Sequence, residues 1–378
     1  MRRVAITHVA QSSGVESRES LMDFVYMINK EILDKAGLQR EDVGCIISGS
    51  ADIFHSGISC ANAFDWDGLG AFLKEGSRAE ESAFSFIYGC MRIMSGRYDT
   101  VLVTALVKGS ENPDNDSITS FYGDPFYLRP LGINESAVAA MQMRQYLERH
   151  EVSEEQCAKV AVKNRNNALF NPYAHLKRRV SLQDVMASER VYDPLKALEC
   201  APKSDGVVAV LLASEDKAKK LTDKPVWLKG YGCSMDHFNP GDRNLINGEL
   251  QNAAKRAYNM AGIPDPKKKI DVAEICEPYA FQELLWCEQL GLCDEGQGGN
   301  MIDSGVTQMN GALPVNPSGG VLATNPYPAR GLYRIAEAAL QIKGQAGEHQ
   351  IGKKVRTALA HSAHGFGGQC HSVVILSA

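Results

Sequence analysis

Hydrophobic and polar positions divide the first part of the chain into α/β units. Residues 17–36 carry apolar side chains on one helical face, and Gly37 follows as a predicted helix C-cap. The runs 43–47 and 100–106 are short, apolar and rich in β-branched residues. Runs of this kind are typical of strands that helices bury on both faces. The pattern therefore predicts an α/β protein with a helix-covered sheet.

The stretch from about residue 112 to residue 200 interrupts this pattern. It is polar, rich in Asn, Arg and Lys, and broken by several prolines, yet it holds predicted helices at 135–150 and 154–166. An apolar run at 207–212 then follows. We interpret residues 112–200 as a loop domain that leaves the first α/β unit and returns to it.

After residue 222 the order of elements begins again. The segment AGLQREDVGCIISG at 36–49 resembles AGIPDPKKKIDVAEICEP at 261–278. Each segment ends a helix with Ala-Gly, crosses a charged turn and enters a strand at Asp-Val. A repeated unit predicts two equivalent halves, which we place at 1–222, including the loop domain, and at 223–378. Chance similarity between two ordinary α/β units is the alternative interpretation.

Composition argues against several classes of function. The chain has 378 residues, of which 44% are hydrophobic, and its net charge of −5 argues against nucleic-acid binding. No apolar stretch reaches the roughly 18 residues that a membrane span needs. The ten cysteines include no CxxC pair and no zinc-site spacing, so we expect no metal site. We interpret the cysteines as free thiols of a cytoplasmic protein.

Six motifs occur in an order that is typical of one protein family. They are SGRYDTVLVTALVKGSE (95–111), AVKNRNNALFNPYAH (161–175), SDGVVAVLLASEDKA (204–218), LGLCDEGQGG (290–299), VNPSGG (315–320) and GFGG (365–368). Each motif is weak alone, but the ordered set covers nearly the whole chain. It resembles the thiolase superfamily, in particular the sterol-carrier-protein thiolases and their archaeal relatives.

The resemblance implies the thiolase fold, in which two pseudo-equivalent α/β halves form five layers, αβαβα, with a loop domain inserted. It also implies an acyl-coenzyme A thioester as substrate, with coenzyme A as its carrier and no covalently bound cofactor. Glycine turns are expected to let the backbone approach the thioester, at Gly319, Gly320, Gly365 and Gly367. The basic run with Lys177 and Arg178 either meets coenzyme A phosphates or is a solvated surface.

The position of the thiolase nucleophile does not hold a cysteine. Thiolases attack the thioester with a cysteine at a helix N-terminus, where the helix dipole lowers the thiol pKa. Counting back from the turn Ser95-Gly96 places Arg78 at this position, where we expect it to contact the substrate. An apolar run at 80–95 predicts a buried helix, and Cys90 lies too deep in it to replace the nucleophile. We therefore interpret Cys90 as a buried core thiol.

The histidine motif of thiolases is altered as well. NPYPARG at 325–331 takes the place of the family's GHPLGATG with one residue deleted. Asn325 therefore replaces the histidine that activates the nucleophile, and Tyr327 follows the retained proline. An asparagine donates a hydrogen bond to a carbonyl, but it cannot act as a base.

A third motif also departs from the family. It reads Cys276-Glu277-Pro278-Tyr279, so that Cys276 takes the Asn or His position and Tyr279 the Phe position. Glu277 is expected beside the bound substrate. The second catalytic cysteine of thiolases falls near Ala363, which is next to His364. All three groups that thiolases use for acyl transfer are therefore changed together.

This combination resembles the coenzyme A-dependent steroid side-chain aldolases, which lack the cysteine and use a pair of tyrosines. The resemblance predicts a retro-aldol lyase that cleaves a β-hydroxyacyl-CoA without an acyl-enzyme. Tyr279 or Tyr327 would act as the acid or base, with assistance from Cys276 or His364. Asn325 and the backbone of the GFGG turn would hold the enolate oxygen.

Two other functions remain open at this point. One is a thiolase with Cys276 as a relocated nucleophile, acting on a bulky or aryl β-ketoacyl-CoA such as benzoylsuccinyl-CoA. The other is a non-catalytic scaffold subunit that binds CoA esters. In each case the resemblance implies a homodimer core and a small partner protein with a zinc ribbon and an OB-fold.

Overall fold

The computed structural model describes residues 2–12, 14, 17–55, 66–71 and 73–378. Its strands are β1 Val4–Gln11, β2 Cys45–Gly49, β3 Glu75–Ala79, β4 Thr100–Lys108, β5 Arg190–Tyr192, β6 Leu195–Lys196, β7 Asp205–Ser214, β8 Val226–Met235, β9 Val272–Glu274, β10 Thr357–His364 and β11 Cys370–Ser377. Its helices are α1 Leu21–Ala36, α2 Trp66–Leu69, α3 Ser82–Met94, α4 Asn115–Thr119, α5 Glu135–His150, α6 Glu154–Asn167, α7 Leu182–Met186, α8 Glu215–Leu221, α9 Leu250–Ala261, α10 Pro266–Lys269, α11 Ala280–Gln289, α12 Gly298–Asp303, α13 Gly320–Ala323 and α14 Arg330–Lys343. Within these ranges no helix is long and apolar enough to cross a membrane.

One mixed sheet runs through both halves of the chain. In the described part of the chain its strand order is β3-β2-β4-β7-β1-β8-β11-β10-β9. Among the described strands, β1 of the first half pairs with β8 of the second, through the antiparallel pairs Ala5–Trp227 and Ile6–Val226. Strands β5 and β6 form a separate two-stranded ribbon in the loop domain. The sheet therefore divides naturally into a five-stranded and a four-stranded part.

The two parts of the sheet repeat one topology. In the first part, β2 pairs with β4 in parallel, and β4–β7 and β7–β1 are antiparallel pairs. In the second part, β9 pairs with β10 in parallel, and β10–β11 and β11–β8 are antiparallel pairs. Gly37 ends α1 before β2, and Gly262 ends α9 before β9, both in the left-handed conformation with φ of 63° and 68°. The predicted repeat between these segments is thus confirmed as a structural equivalence.

Helices α3 and α14 lie between the two parts of the sheet. Val101 and Val103 of β4 pack into the core that contains these helices, while Leu102 and Leu106 point to the opposite face against α1. Helix α9 covers the outer face of β8 and β11. The order helix, sheet, paired central helices, sheet, helix is the predicted five-layer thiolase fold.

A buried polar network fastens the loop domain to the C-terminal half. Lys163 of α6 and Glu283 of α11 form an ion pair of 2.6 Å in which both side chains are 0% exposed. The neighbouring Asn164 donates hydrogen bonds to Glu283 Oε2 (2.8 Å) and to Glu277 Oε1 (3.0 Å). Because the network is buried, its charges depend on each other for stabilisation.

Glu277, which belongs to this network, lies beneath the VNPSGG turn. Its carboxyl Oε1 also accepts a hydrogen bond from the N–H of Leu322 (3.3 Å), whereas Oε2 has no partner among the described residues. Gly320 packs so closely that a Cβ there would lie 1.9 Å from Oε1. Burial, followed by the charge of Glu283, raises the pKa of Glu277 to about 8. Glu277 is therefore largely protonated at neutral pH.

We expect Lys163→Met to lower the free energy of unfolding by about 3–5 kcal/mol, because the substitution leaves Glu283 as an unpaired buried charge. Lys159→Met is the matched control, since Lys159 pairs with Asp303 and Glu155 at the surface. Surface pairs contribute little, so the control should change stability only slightly. Urea unfolding of both variants measures the difference. Equal losses in the two variants would contradict the assigned role of the buried pair.

We expect Glu277→Gln to flatten the pH dependence of stability between about pH 5 and pH 8. The pKa of Glu277 rises from 4.5 to about 8 on folding, so its favourable contribution is complete below pH 4.5 and is lost as the pH rises toward 8. Within that window the wild-type chain should lose at most about 1.4 kcal/mol per pH unit from this group. Glutamine does not titrate. Parallel melting-temperature profiles for the two proteins would refute the assignment.

Candidate active site

Three loops of the C-terminal half meet at the junction between the halves. Residues 276–279 follow β9, residues 325–330 lead into α14, and residues 361–368 end β10 and turn toward β11. From the N-terminal half, the capping residue of α3 and the first residue of α5 hydrogen-bond to these loops. Both halves therefore build the candidate site.

Glu81 caps α3 at this junction. Its carboxylate accepts hydrogen bonds from the N–H groups of Ala83 (3.0 Å) and Phe84 (3.1 Å) and from the Ser362 hydroxyl (2.7 Å). Burial raises the pKa of Glu81, and these hydrogen bonds oppose that shift. A Cβ at Gly331 would lie 2.4 Å from both Glu81 Oε1 and Ser362 Oγ. A carboxyl group therefore fills the helix N-terminus, with α14 packed directly against it.

The expectation that Arg78 lies at the N-terminus of this helix is wrong. Helix α3 begins at Ser82, one turn later than the count predicts, because the side chain of Glu81 supplies the cap. Arg78 lies on β3 instead, where it forms an ion pair with Asp52. Cys90 is fully buried in α3 and burial raises its pKa, which confirms its interpretation as a core thiol.

Tyr327 lies in an aromatic cluster at the centre of the site. Its ring stacks on Phe54 with centroids 4.5 Å apart and meets His364 edge-on at 5.9 Å. The guanidinium carbon of Arg330 is 4.1 Å from the ring centroid. Within the described part of the chain, the buried Tyr327 hydroxyl makes no hydrogen bond of normal geometry. Burial and then the Glu135 carboxyl raise its pKa well above the usual range, and Arg330 opposes this.

Tyr279 lies directly before α11 and is also buried. Unlike Tyr327, its hydroxyl has a partner, the hydroxyl of Ser136 at 2.8 Å. Burial raises the pKa of Asp116, and hydrogen bonds from the side chain and backbone of Ser136 oppose that shift. Burial, followed by Glu135, raises the pKa of Tyr279 well above its usual range. Both phenols are therefore protonated at neutral pH.

A buried ion pair adjoins both tyrosines. Glu135, the first residue of α5, accepts a hydrogen bond of 3.2 Å from Nη2 of Arg330, the first residue of α14. Arg330 also donates through Nε (3.1 Å) and Nη2 (2.9 Å) to the carbonyl oxygen of Ala363 in β10. Burial raises the pKa of Glu135 and Arg330 lowers it. The pair holds α5, α14 and β10 together at the point where they meet the tyrosines.

Cys276 and His364 complete the group. Cys276 is buried, its Sγ lies 3.9 Å from the carbonyl oxygen of Ala363, and burial raises its pKa to about 11. His364 is partly exposed beside Tyr122, with ring centroids 5.4 Å apart. Burial and then Arg330 lower the pKa of His364 to about 3. The thiol is therefore protonated and the imidazole neutral near pH 7.

Asn325 lies at the edge of this group, toward the loop domain. Its backbone N–H and C=O bond to the hydroxyl and N–H of Ser204, at 3.1 and 3.3 Å. Its side-chain oxygen is buried and, among the residues described, has no hydrogen-bond partner. The role of Asn325 as a donor to the substrate stays a prediction.

The remaining predicted binding residues do not all lie together. The glycine turns have positive φ at all four predicted positions, which are Gly319, Gly320, Gly365 and Gly367. Glu277 is buried under the first turn rather than facing open space. Lys177 and Arg178 are exposed on the loop domain, and Lys177 Nζ donates to the Pro172 carbonyl oxygen. Their contact with coenzyme A phosphates stays a prediction.

Sequence reasoning missed four groups of this site: Glu81, Glu135, Ser136 and Arg330. Arg330 had no distinct signal, because its segment PARGLYRIAEAA also holds Arg334 and Glu337. Glu135 follows Asn134, which is a favoured helix N-cap, but this pattern indicates a helix start and not a site. The proximity of these groups to the tyrosines comes from tertiary contacts alone.

Comparisons with known proteins agree with this architecture. The family model described as Thiolase C-terminal domain-like matches residues 232–378. The Acetyl-CoA acetyltransferase of Methanothermobacter thermautotrophicus is 30% identical over 97% of this chain and 98% of its own length. The Benzoylsuccinyl-CoA thiolase subunit BbsB of Thauera aromatica is 30% identical over 62% of this chain and 60% of its own.

A solved structure extends the comparison to the complete chain. The Ltp2-ChsH2(DUF35) aldolase superposes with a TM-score of 0.85 at 24% identity, covering 100% of this chain and 98% of the other. At this identity the likeness establishes the fold. Together with the full-length relative and the matched C-terminal family, it leads to one conclusion. The chain belongs to the thiolase family of acyl-CoA enzymes.

Proposed function

We propose that the protein is a carbon–carbon lyase that cleaves a β-hydroxyacyl-CoA by a retro-aldol reaction. The observation that carries this proposal is the carboxylate of Glu81 at the N-terminus of α3. Acyl transfer needs a nucleophile at such a place, and a carboxylate that accepts three hydrogen bonds there is not one. A retro-aldol cleavage needs only an acid, a base and a stabilised enolate.

The environment of the two tyrosines supports distinct roles. The β-hydroxyl proton passes to Tyr327, whose own hydroxyl proton passes to the neighbouring Glu135 carboxylate. The Cα–Cβ bond then breaks, the carbonyl product leaves, and the electron pair moves onto the thioester as an enolate. Tyr279 protonates Cα and regains a proton from solvent by way of the Ser136 hydroxyl, to which it is hydrogen-bonded. Glu135 releases its proton to solvent before the next cycle. A raised pKa suits Glu135 to the task of a base near neutral pH.

The partly exposed side of the site is where the substrate would enter. Tyr122 and His364 lie there, with Phe366 edge-on to Tyr122 at 6.5 Å. A neutral His364 in this position assists by donating an N–H hydrogen bond to the β-oxygen as that oxygen loses its proton to Tyr327. The acyl chain would pass between these rings, since the tyrosines behind them are buried.

A thiolase reaction on a bulky or aryl β-ketoacyl-CoA is the second candidate function. It is favoured by the similarity to the benzoylsuccinyl-CoA thiolase subunit and by the presence of a thiol, Cys276, beside Arg330. The buried location of Cys276 and its raised pKa weigh against it as a nucleophile.

We also propose that the chain works with a second, smaller subunit. The similar aldolase is named as a complex with a DUF35 protein, and the similar thiolase chain is named as a subunit. Co-expression with candidate small proteins and size-exclusion chromatography would test this. A homodimer core stays a prediction from the family, for which the edge strand β3 is available.

The reaction is tested by incubating the protein, with any co-purifying partner, with panels of β-hydroxyacyl-CoA and β-ketoacyl-CoA, each with and without free CoA. Mass spectrometry then identifies the products. We expect β-hydroxy substrates to give an aldehyde or ketone and a shorter acyl-CoA without added CoA. Cleavage only of β-keto substrates, dependent on CoA and lost in Cys276→Ala, would establish the thiolase alternative instead.

We expect Tyr327→Phe to lower kcat by about 10²- to 10⁴-fold while leaving thermal stability unchanged or slightly raised. Thermal stability should change little because the hydroxyl being removed makes no hydrogen bond of normal geometry to the described residues. Tyr146→Phe is the control, since Tyr146 is buried as deeply but bonds to Glu288, away from the site. A wild-type rate in Tyr327→Phe would rule out this role for the phenol.

A further inference from the structure

One nitrogen of the Arg330 guanidinium, Nη1, donates no hydrogen bond to the described residues. Arg330 is 2% exposed, and its Nε and Nη2 serve Ala363 and Glu135. Nη1 is also buried, yet it has no acceptor among the residues that the structure describes. A buried donor without an acceptor costs free energy, so its retention calls for an explanation.

The guanidinium group of Arg330 keeps its positive charge at neutral pH. Burial lowers the pKa of Arg330, but Cys276, Tyr327 and Glu135 together raise it above its ordinary value. The guanidinium is therefore always protonated. A cation in a buried, weakly polarisable environment stabilises a developing negative charge more strongly than it would in water.

Arg330 lies on the segment that carries the family's histidine position. The family's histidine place holds Asn325, whose backbone is tied to Ser204 at the edge of the site. Arg330 lies five residues further along the same segment, beside Cys276 and over the ring of Tyr327. It brings a fixed positive charge to the segment in which Asn325 occupies the family's histidine position.

We propose that Arg330 is a catalytic residue whose Nη1 donates a hydrogen bond to the thioester oxygen of the bound acyl-CoA. As the Cα–Cβ bond breaks, its electron pair delocalises onto this oxygen, and the hydrogen bond strengthens. The same contact forms when a base removes a Cα proton from a simple acyl-CoA and a solvent proton returns. This assignment rests on the proposed function, because it requires an acyl-CoA enolate.

A purely structural Arg330 would behave differently. It would fasten α14 to β10 and α5, and its replacement would lower stability without a specific effect on enolate formation. Arg165 offers a matched control, since its buried guanidinium also donates through Nε and Nη2 to backbone carbonyls, those of Leu198 and Cys200. Arg165→Lys removes the same kind of anchor in the loop domain.

The experiment measures hydrogen–deuterium exchange at Cα of saturated acyl-CoA thioesters in D₂O, by mass spectrometry. We expect Arg330→Lys to slow exchange by about 10²- to 10³-fold, the usual effect of removing one oxyanion donor. Arg165→Lys should retain the wild-type exchange rate even where its melting temperature falls as far. Equal exchange rates in wild type and folded Arg330→Lys would overturn the assignment.

A second measurement does not depend on the variant folding. An acyl-CoA with a ¹³C-labelled thioester carbonyl is bound to the wild-type protein, and its infrared stretch is compared with that of the free thioester in buffer. A charged donor should shift the band to lower frequency. An unshifted band overturns the proposal.

The lyase function and the role of Arg330 can fail separately. If the wild type exchanges Cα protons but cleaves no β-hydroxyacyl-CoA, the lyase proposal fails, and the rate of Arg330→Lys still decides the role of the guanidinium. If the wild type exchanges no Cα proton of any acyl-CoA offered, there is no enolate to stabilise and the inference is overturned.

Discussion

Two N–H groups at the start of α3 and one hydroxyl from β10 converge on the carboxylate of Glu81. This capping interaction fixes where α3 begins and where α14 can pack, since Gly331 touches the same carboxylate. Helices α3 and α14 form the layer that both parts of the sheet share. The geometry at the junction of the two halves therefore depends on a group that excludes a thiolate from the helix N-terminus.

Charge compensation organises the surrounding residues. Arg330 donates hydrogen bonds both to the Glu135 carboxylate and to the Ala363 carbonyl oxygen near the end of β10. The charge of Glu135 in turn raises the pKa of Tyr279 and of Tyr327. A buried pair of this kind is costly unless it fixes a specific arrangement. Here it holds two protonated phenols and a neutral imidazole around one spot. The proposed retro-aldol reaction uses these groups for proton transfer and enolate formation.

Much of the fold was accessible from sequence because local signals agree with the tertiary structure. The Ala-Gly helix ends at Gly37 and Gly262 and the apolar runs of β4 and β7 each occur as predicted. Arg78 was wrongly placed at the start of α3, because glutamate is not a favoured N-cap residue and no local signal marked Glu81 as the cap. Arg330 and Glu135 were missed because 195 residues separate them, and no pattern along the chain records that contact.

The tight packing of Gly331 against Glu81 and Ser362 bears on how such a site evolves. A cysteine placed at position 81 would offer one sulfur to three hydrogen-bond donors that now share two carboxylate oxygens. It would also face the segment 325–331, which has Asn325 in place of the activating histidine and the bulky guanidinium of Arg330 next to Gly331. That single substitution would therefore lose stability before gaining any activity. Introducing a nucleophile at this helix start would require coordinated changes in both halves of the chain, since Glu81 contacts Ser362 and Gly331 across the junction.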